Sequence, residues 1–282
     1  MEKLQHRIYR NWISLKTLMC FFSETLTYWP FAIWIRFWFT KHGAPYYEDD
    51  YPHIFVRTKN WLEKIVDGHM LFTCISKHQY EPAGFEIHRR YVVVDVGAHI
   101  GSFALLAATH GNRVVACEPS PDNFAMFLKN IRHNKIQNIT ALPICITGAN
   151  GEREFFLDKQ NKARNGIYGK VNGNSIKVRS LTLDELLKTE NITHVDFLKV
   201  DCEGAEYEIF ENTTENTFSK ISRIAMEYHI PPYFGLDKNK HNISNIIKKF
   251  HSNGFSVRIE PENKLRGLIF ASRISQQKKE NA

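Results

Sequence analysis

The chain has 282 residues and lacks several signatures that would fix its class at once. None of its five cysteines forms a C-x-x-C pair and the number is odd, so no disulfide framework is expected. Cys117, Cys145 and Cys202 lie in apolar or strand-like stretches and read as buried free thiols of a reducing compartment. The thirteen histidines show no ligand spacing near cysteine, which argues against zinc. No small-residue cleavage site follows the apolar N-terminal stretch, so a signal peptide is not expected. No internal repeat is evident. The net charge of +7 is modest for this length, with lysines and arginines dispersed. Nucleic acid is therefore not an expected partner. The glycine pattern of a dinucleotide site, G-x-G-x-x-G, is also missing.

What is present is concentrated in two places. Residues 1–45 are rich in aromatics, and Thr17 to Ile35 carries a single charge, Glu24. That stretch is marginally long enough to span a bilayer, but Glu24 sits inside it and Pro30 breaks it. The expectation is a helical extension packed on the next segment, in a cytoplasmic protein. A membrane-surface contact through residues 1–40 and a true span stay open. Residues 46–90 read as a transition that caps the core, with Ile54–Val56 a short strand and Trp61 to Val66 helical. Residues 91–275 read as the main domain, and 276–282 as a polar tail.

The second place is Tyr91 to Gly101, Y-V-V-V-D-V-G-A-H-I-G. An apolar run ending in Asp95, then Gly97 and Gly101, then a helical pattern, is a strand, a tight turn and a helix. Such a turn at the carboxyl end of a parallel strand lets a ligand approach the backbone. An acid inside the loop would repel a pyrophosphate and suit a cationic ligand with an ammonium group and a ribose diol. S-adenosylmethionine has those groups.

Strand and helix signals then alternate. Strands are expected at Val114–Cys117, Ile139–Ile146, Val195–Val200 and Ile221–Tyr228, with a terminal hairpin at Phe255–Ile259 and Leu268–Ser272. A two-stranded excursion is expected from Glu154–Leu157 and Ile176–Val178. Ser120-Pro121 reads as a capped helix start, and Thr182-Leu-Asp-Glu185 as a capping box. Alternation of this kind implies a doubly wound, mostly parallel α/β sheet.

In such a sheet the strand ends carry the chemistry. Glu118 ends the second strand, 23 residues after Asp95, where an acid can accept both ribose hydroxyls. Asn123 lies one helical turn on and either contacts the ligand or supports the helix start. Lys199 and Asp201 share a face at the end of Val195–Val200, and Glu203 follows at the next helix start. Glu227 and His229 share a face on the neighbouring strand. A hydroxyl acceptor needs a base nearby, and Asp201 or His229 fits. An ion-paired network that only fixes the sheet end is the bland alternative for each. A carboxylate-held divalent ion on Asp201, Glu203 and Glu227 is a minor alternative; no metal is expected.

Five segments together resemble the FkbM family of S-adenosylmethionine-dependent methyltransferases. They are V-V-V-D-V-G-A-H-I-G-S-F (92–103), E-P-S-P-D-N-F (118–124), L-T-L-D-E-L (181–186), D-F-L-K-V-D-C-E-G-A-E (196–206) and E-Y-H (227–229). The resemblance covers roughly residues 92–230. It implies the class I, Rossmann-like fold: a seven-stranded, mostly parallel sheet with a C-terminal antiparallel hairpin. It implies O-methylation of a hydroxyl on a sugar, glycolipid or related metabolite. Asp95, Gly97, Ala98 and Gly101 carry over as the loop around the methionine part, Glu118 as the ribose ligand, and Asp201 as a residue at the methyl-transfer edge. The acceptor pocket is expected from residues 1–90 and loops such as Pro231 to Gly235. A nicotinamide-dependent oxidoreductase and an inactive binding module at a membrane surface stay open as other classes. The sequence does not give the acceptor or the oligomeric state.

Overall fold

The computed structural model describes residues 78–273 apart from 111, 159–161, 169–173 and 232–235, together with 52, 54–56, 67–68, 70–71 and 73–74. The expected N-terminal helices, the helix at Trp61–Val66 and most of the loop at Pro231–Gly235 lie outside the described residues. No helix among the described residues is long and apolar enough to cross a membrane.

Seven strands form one sheet: β1 (Val92–Val96), β2 (Arg113–Cys117), β3 (Ile139–Leu142), β7 (Val195–Val200), β8 (Ile221–His229), β9 (Phe255–Pro261) and β10 (Arg266–Arg273). Their order is β3-β2-β1-β7-β8-β10-β9. All run parallel except β10, which is antiparallel to both neighbours. This is the class I methyltransferase sheet, with its reversed strand supplied by the hairpin. The chain winds outward from β1 to β3, then returns to lay β7 against β1. The topological switch point, where such sheets open a crevice, falls between these two strands.

The sheet separates two apolar cores. Val94, Val115, Leu198 and Ile224 point to one side, covered by α3 (Leu183–Thr189), α4 (Glu206–Asn212), α5 (Glu215–Ser219) and α6 (Ile243–Ser252). Val93, Val114, Phe197 and Ala225 point to the other, covered by α1 (Ser102–Thr109) and α2 (Pro121–His133). The period-2 alternation of strands thus feeds both faces, as a doubly covered sheet requires. Nearly all of α1 is buried, because Ile54, Val56, Leu71, Cys74, Tyr80 and Phe85 pack onto the same core.

Several local expectations change. Ile139–Ile146 is not one strand: after Leu142 the chain passes Pro143, and Cys145–Ile146 (β4) joins a second sheet. Proline cannot donate to a ladder, and the strand divides there. That second sheet is β4-β6-β5, with β5 at Gly151–Phe156 and β6 at Ser175–Leu181, one strand more than the expected excursion. Ile54–Val56 is not a strand. Phe55 instead exchanges backbone bonds with the Asn130 amide on α2, its N–H donating at 2.8 Å and its carbonyl accepting at 3.2 Å. Ser120 does not cap α2 with its side chain, because its hydroxyl accepts from Asn165 Nδ2 at 3.0 Å. The Thr182 cap is present: its Oγ1 accepts from the Glu185 N–H at 3.2 Å.

Candidate active site

A cavity of about 320 Å³ opens at the carboxyl ends of β1, β2, β7 and β8. That is the lower end of the usual range for small-ligand sites. Gly97, His99 and Glu118 line it on one side, Asp201, Glu203, Glu227 and Arg266 on the other. Ile144, Cys145, Ile146, Phe155 and Ile167 give an apolar wall from the second sheet and its loop. Asp95, Ala98, Gly101, Asn123, Lys199 and His229 are not on the wall; they sit behind residues that are.

The glycine turn is fixed by close approach. Gly97 has φ +83°, and a Cβ there would lie 1.8 Å from the Asp201 carbonyl oxygen. Gly101 has φ +91°, and a Cβ would meet the Phe127 ring at 2.1 Å. Both positions therefore exclude a side chain on space and on backbone conformation. The turn's N–H groups are already used. Gly97 and Ala98 both donate to the Cys117 carbonyl at 3.0 Å, Gly101 donates to Ala98 at 2.8 Å, and His99 donates to Glu118 Oε2 at 2.8 Å. A pyrophosphate would need those donors, so the loop is not a phosphate cradle.

Glu118 is 5% exposed. Its Oε1 accepts from the Ser120 N–H at 2.8 Å and from Asn123 Nδ2 at 3.3 Å. Asn123 thus holds the glutamate rather than the cavity. Burial pushes the Glu118 carboxyl up to about 7, against the bonds from Ser120, His99 and Asn123 that favour its charged form.

Asp95 is fully buried beneath the turn, its Oδ1 3.0 Å from Lys199 Nζ. Lys199 also donates to the Gly97 carbonyl at 2.6 Å and lies 4.0 Å from Asp201 Oδ2. Burial opposes its charge, but Asp95 and Asp201 outweigh that and hold its ammonium above the ordinary value. One buried cation therefore ties the glycine turn to the acid after β7.

Across the cavity the contacts are between side chains. The Tyr80 hydroxyl donates to Asp201 Oδ2 at 2.8 Å. Asp201 Oδ1 makes no hydrogen bond among the described residues. Gln79 Nε2 donates to Glu227 Oε2 at 3.3 Å, and Arg266 Nη1 to Glu227 Oε1 at 2.9 Å. His229, fully buried, has Nδ1 2.9 Å from Glu206 Oε1 and Nε2 3.5 Å from both Glu203 and Glu227. Burial disfavours its cation, yet Glu206 and Glu203 outweigh burial and hold its pKa well above the ordinary value. Burial pushes Glu203 up to about 8, opposed by His229 and reinforced by Asp201, Glu227 and Glu206.

Glu203 does not meet a helix start. The helix opens at Glu206, and Glu203 itself sits at φ +56°. The residue that satisfies the turn is Glu206, whose Oε2 accepts from the Gly204 N–H at 2.8 Å. Asp201, Glu227 and His229 each offer one atom within 4.8 Å of the others, but both His229 nitrogens already face carboxylates, which disfavours the ring as a metal ligand. Sequence reading missed Tyr80, Gln79, Arg266 and the apolar wall. Glu206 was marked only as the last acid of the segment 196–206, without a role.

A family described as the methyltransferase FkbM domain matches residues 95–257. The chain belongs to the FkbM methyltransferase family. The domain is an S-adenosylmethionine domain. A hexuronic acid methyltransferase, AglP, from Haloferax volcanii is 28% identical over 138 residues, 49% of this chain and 56% of that protein. The chain thus spans little more than half the length of that relative. Methyltransferase 1 of Beauveria bassiana is 22% identical over 191 residues, 60% of this chain and 73% of that protein. Among solved structures, magnesium protoporphyrin IX methyltransferase of Synechocystis with bound SAM superposes with TM-score 0.46 and 14% identity, over 86% of this chain and 96% of that one.

Proposed function

We propose that this FkbM family member transfers a methyl group from S-adenosylmethionine to a hydroxyl of a sugar or sugar-bearing acceptor. The donor's sulfonium supplies the electrophilic methyl. The residues present fit that donor. Glu118 is a buried carboxylate on the cavity wall, suited to accept from a ribose diol. The apolar wall from β4 and β5 suits a base. Gly97 lines the cavity where β1 meets Asp201, while Asp95 acts from behind through Lys199 and the Gly97 carbonyl.

The observation that carries the acceptor reading is the acid edge at Asp201, Glu203 and Glu227. These groups put carboxylate oxygens where an acceptor's hydroxyl hydrogens can be taken up, with Arg266 and His229 offsetting part of their charge. Asp201 takes the base role. Its Oδ1 makes no hydrogen bond among the described residues, whereas the His229 ring faces carboxylates through both nitrogens, which favour its charged form. His229 instead holds Glu203, Glu206 and Glu227 in place. Asp201 would accept the hydroxyl proton as the acceptor oxygen is methylated; a bound donor would supply the methyl and be left as a neutral thioether. Alignment supplies most of the acceleration, an effect worth about 7–11 kcal/mol in well-oriented systems. The relative named as a hexuronic acid methyltransferase supports a sugar.

The test is incubation with a donor carrying a labelled methyl and fractionated cell extract. Label in a glycan or glycolipid fraction that survives mild base supports a hydroxyl acceptor. Label released by mild base as methanol marks a carboxyl acceptor and overturns the hydroxyl reading.

A further inference from the structure

The family match begins at residue 95, but four residues before it reach the site. Asp67 Oδ1 lies 3.7 Å from His99 Nε2 in the glycine turn. Tyr80 donates to Asp201, and Gln79 donates to Glu227. Met70, from the same stretch, lines the cavity. Each contact lands on a different strand end of the crevice, so this stretch is shaped to the site and not only to the core.

Tyr80 is the sharpest case. It is 3% exposed, its ring packs edge-on to Phe103 at 5.7 Å, and Lys199 Nζ lies 5.4 Å from its centroid. The ring is thus held by Phe103 and Lys199, and its one polar atom is spent on Asp201 Oδ2. With Lys199 on that same oxygen, the carboxylate cannot rotate without losing two partners. We infer that Tyr80 is a positioning residue for methyl transfer: it locks Asp201 so that Oδ1 faces the acceptor hydroxyl. Gln79 does the same for Glu227 from the adjacent position, sharing the task with Arg266. The inference rests on Asp201 serving as the base.

The test uses the full chain and whichever extract fraction the wild type labels. Tyr80→Phe keeps the ring and its apolar contacts and removes only the hydroxyl. Turnover should fall about tenfold to a hundredfold, the usual effect of losing a hydrogen bond to a charged group. Donor affinity, measured by calorimetry, should stay within about twofold, since the donor side is untouched. Asp201→Asn and the double variant should be equally slow, because Tyr80 acts only through Asp201. Turnover of Tyr80→Phe within about twofold of wild type overturns the inference, as do losses that multiply in the double variant. Gln79→Met provides a second variant if Tyr80→Phe unfolds; wild-type turnover there removes the role of this stretch. If Asp201→Asn alone keeps full turnover, the base assignment fails first. If no fraction takes label, the methyltransferase reading falls and this inference with it.

Discussion

The two walls of the cavity are built on different principles. On the wall at the ends of β1 and β2, which we read as the donor wall, the contacts start from the backbone of one short turn: Gly97 and Ala98 donate to the Cys117 carbonyl, and the His99 N–H donates to the Glu118 carboxylate. On the acceptor wall, at the ends of β7 and β8, Asp201, Glu206, Glu227 and His229 are held by side chains that come from four separate parts of the chain. A backbone-built site is fixed by where glycine is allowed. A side-chain network is fixed by charge balance.

Gly97 is where the two walls touch, so Gly97→Ala should break both. The methyl would lie 1.8 Å from the Asp201 carbonyl at a backbone φ of +83°. A loss of about 3 kcal/mol in denaturant unfolding is expected, together with loss of measurable donor binding. A variant of wild-type stability would mean the strands can part freely at the switch point.

Next in size, His229→Ala leaves Glu203, Glu206 and Glu227 without their shared cation. Removing one partner from a buried ion network costs a few kcal/mol, reduced here because Glu203, already near 8, can take a proton. About 2 kcal/mol is expected, with turnover down about tenfold and donor affinity within about twofold. Equal losses in turnover and donor affinity would show that the walls are not separable.

Glu118→Gln should produce the mirror image. Donor affinity should fall about tenfold to a hundredfold as charge-assisted bonds become neutral ones, with turnover at saturating donor little changed. Calorimetry and saturation kinetics on one preparation separate the two. A turnover loss at saturating donor would move Glu118 into the chemistry.

The same contrast explains what could be read from sequence. The donor wall was legible because its parts are local: a strand, two glycines, and an acid one strand later. The sheet was legible because parallel strands show as apolar runs closed by acids. Pro143 should have split the third strand, but a long apolar run hid it. The acceptor wall was legible only as far as strand alternation reaches, which gave Lys199 with Asp201 and Glu227 with His229. Tyr80 lies 121 residues from Asp201, and Gln79 lies 148 from Glu227, so no local pattern links them. Nor could periodicity show that His229 faces carboxylates through both ring nitrogens. For that reason our proposal gives the base role to Asp201 and reads His229 as a clamp.

The smallest effect distinguishes the walls by pH. Glu118 is raised from its ordinary value to about 7, and Glu203 to about 8, both chiefly by burial. Between the unfolded value and these, the native state holds a proton that the unfolded chain has released. Native binding of the extra proton means that stability falls as pH rises through that window. His229 has the same sign: its raised value stabilises the fold at low pH, and that contribution is lost as pH climbs through the folded value. The donor-free protein should therefore be more stable at pH 6 than at pH 8, by on the order of 1 kcal/mol in denaturant unfolding. Glu118→Gln should remove the part of the slope that ends near pH 7, and Glu203→Gln the part that runs on to about 8. Donor should flatten the first part only, since ribose hydroxyls would favour the Glu118 carboxylate. If donor flattened both parts equally, the acceptor wall would be reporting on the donor, and the separation between the two walls would fail.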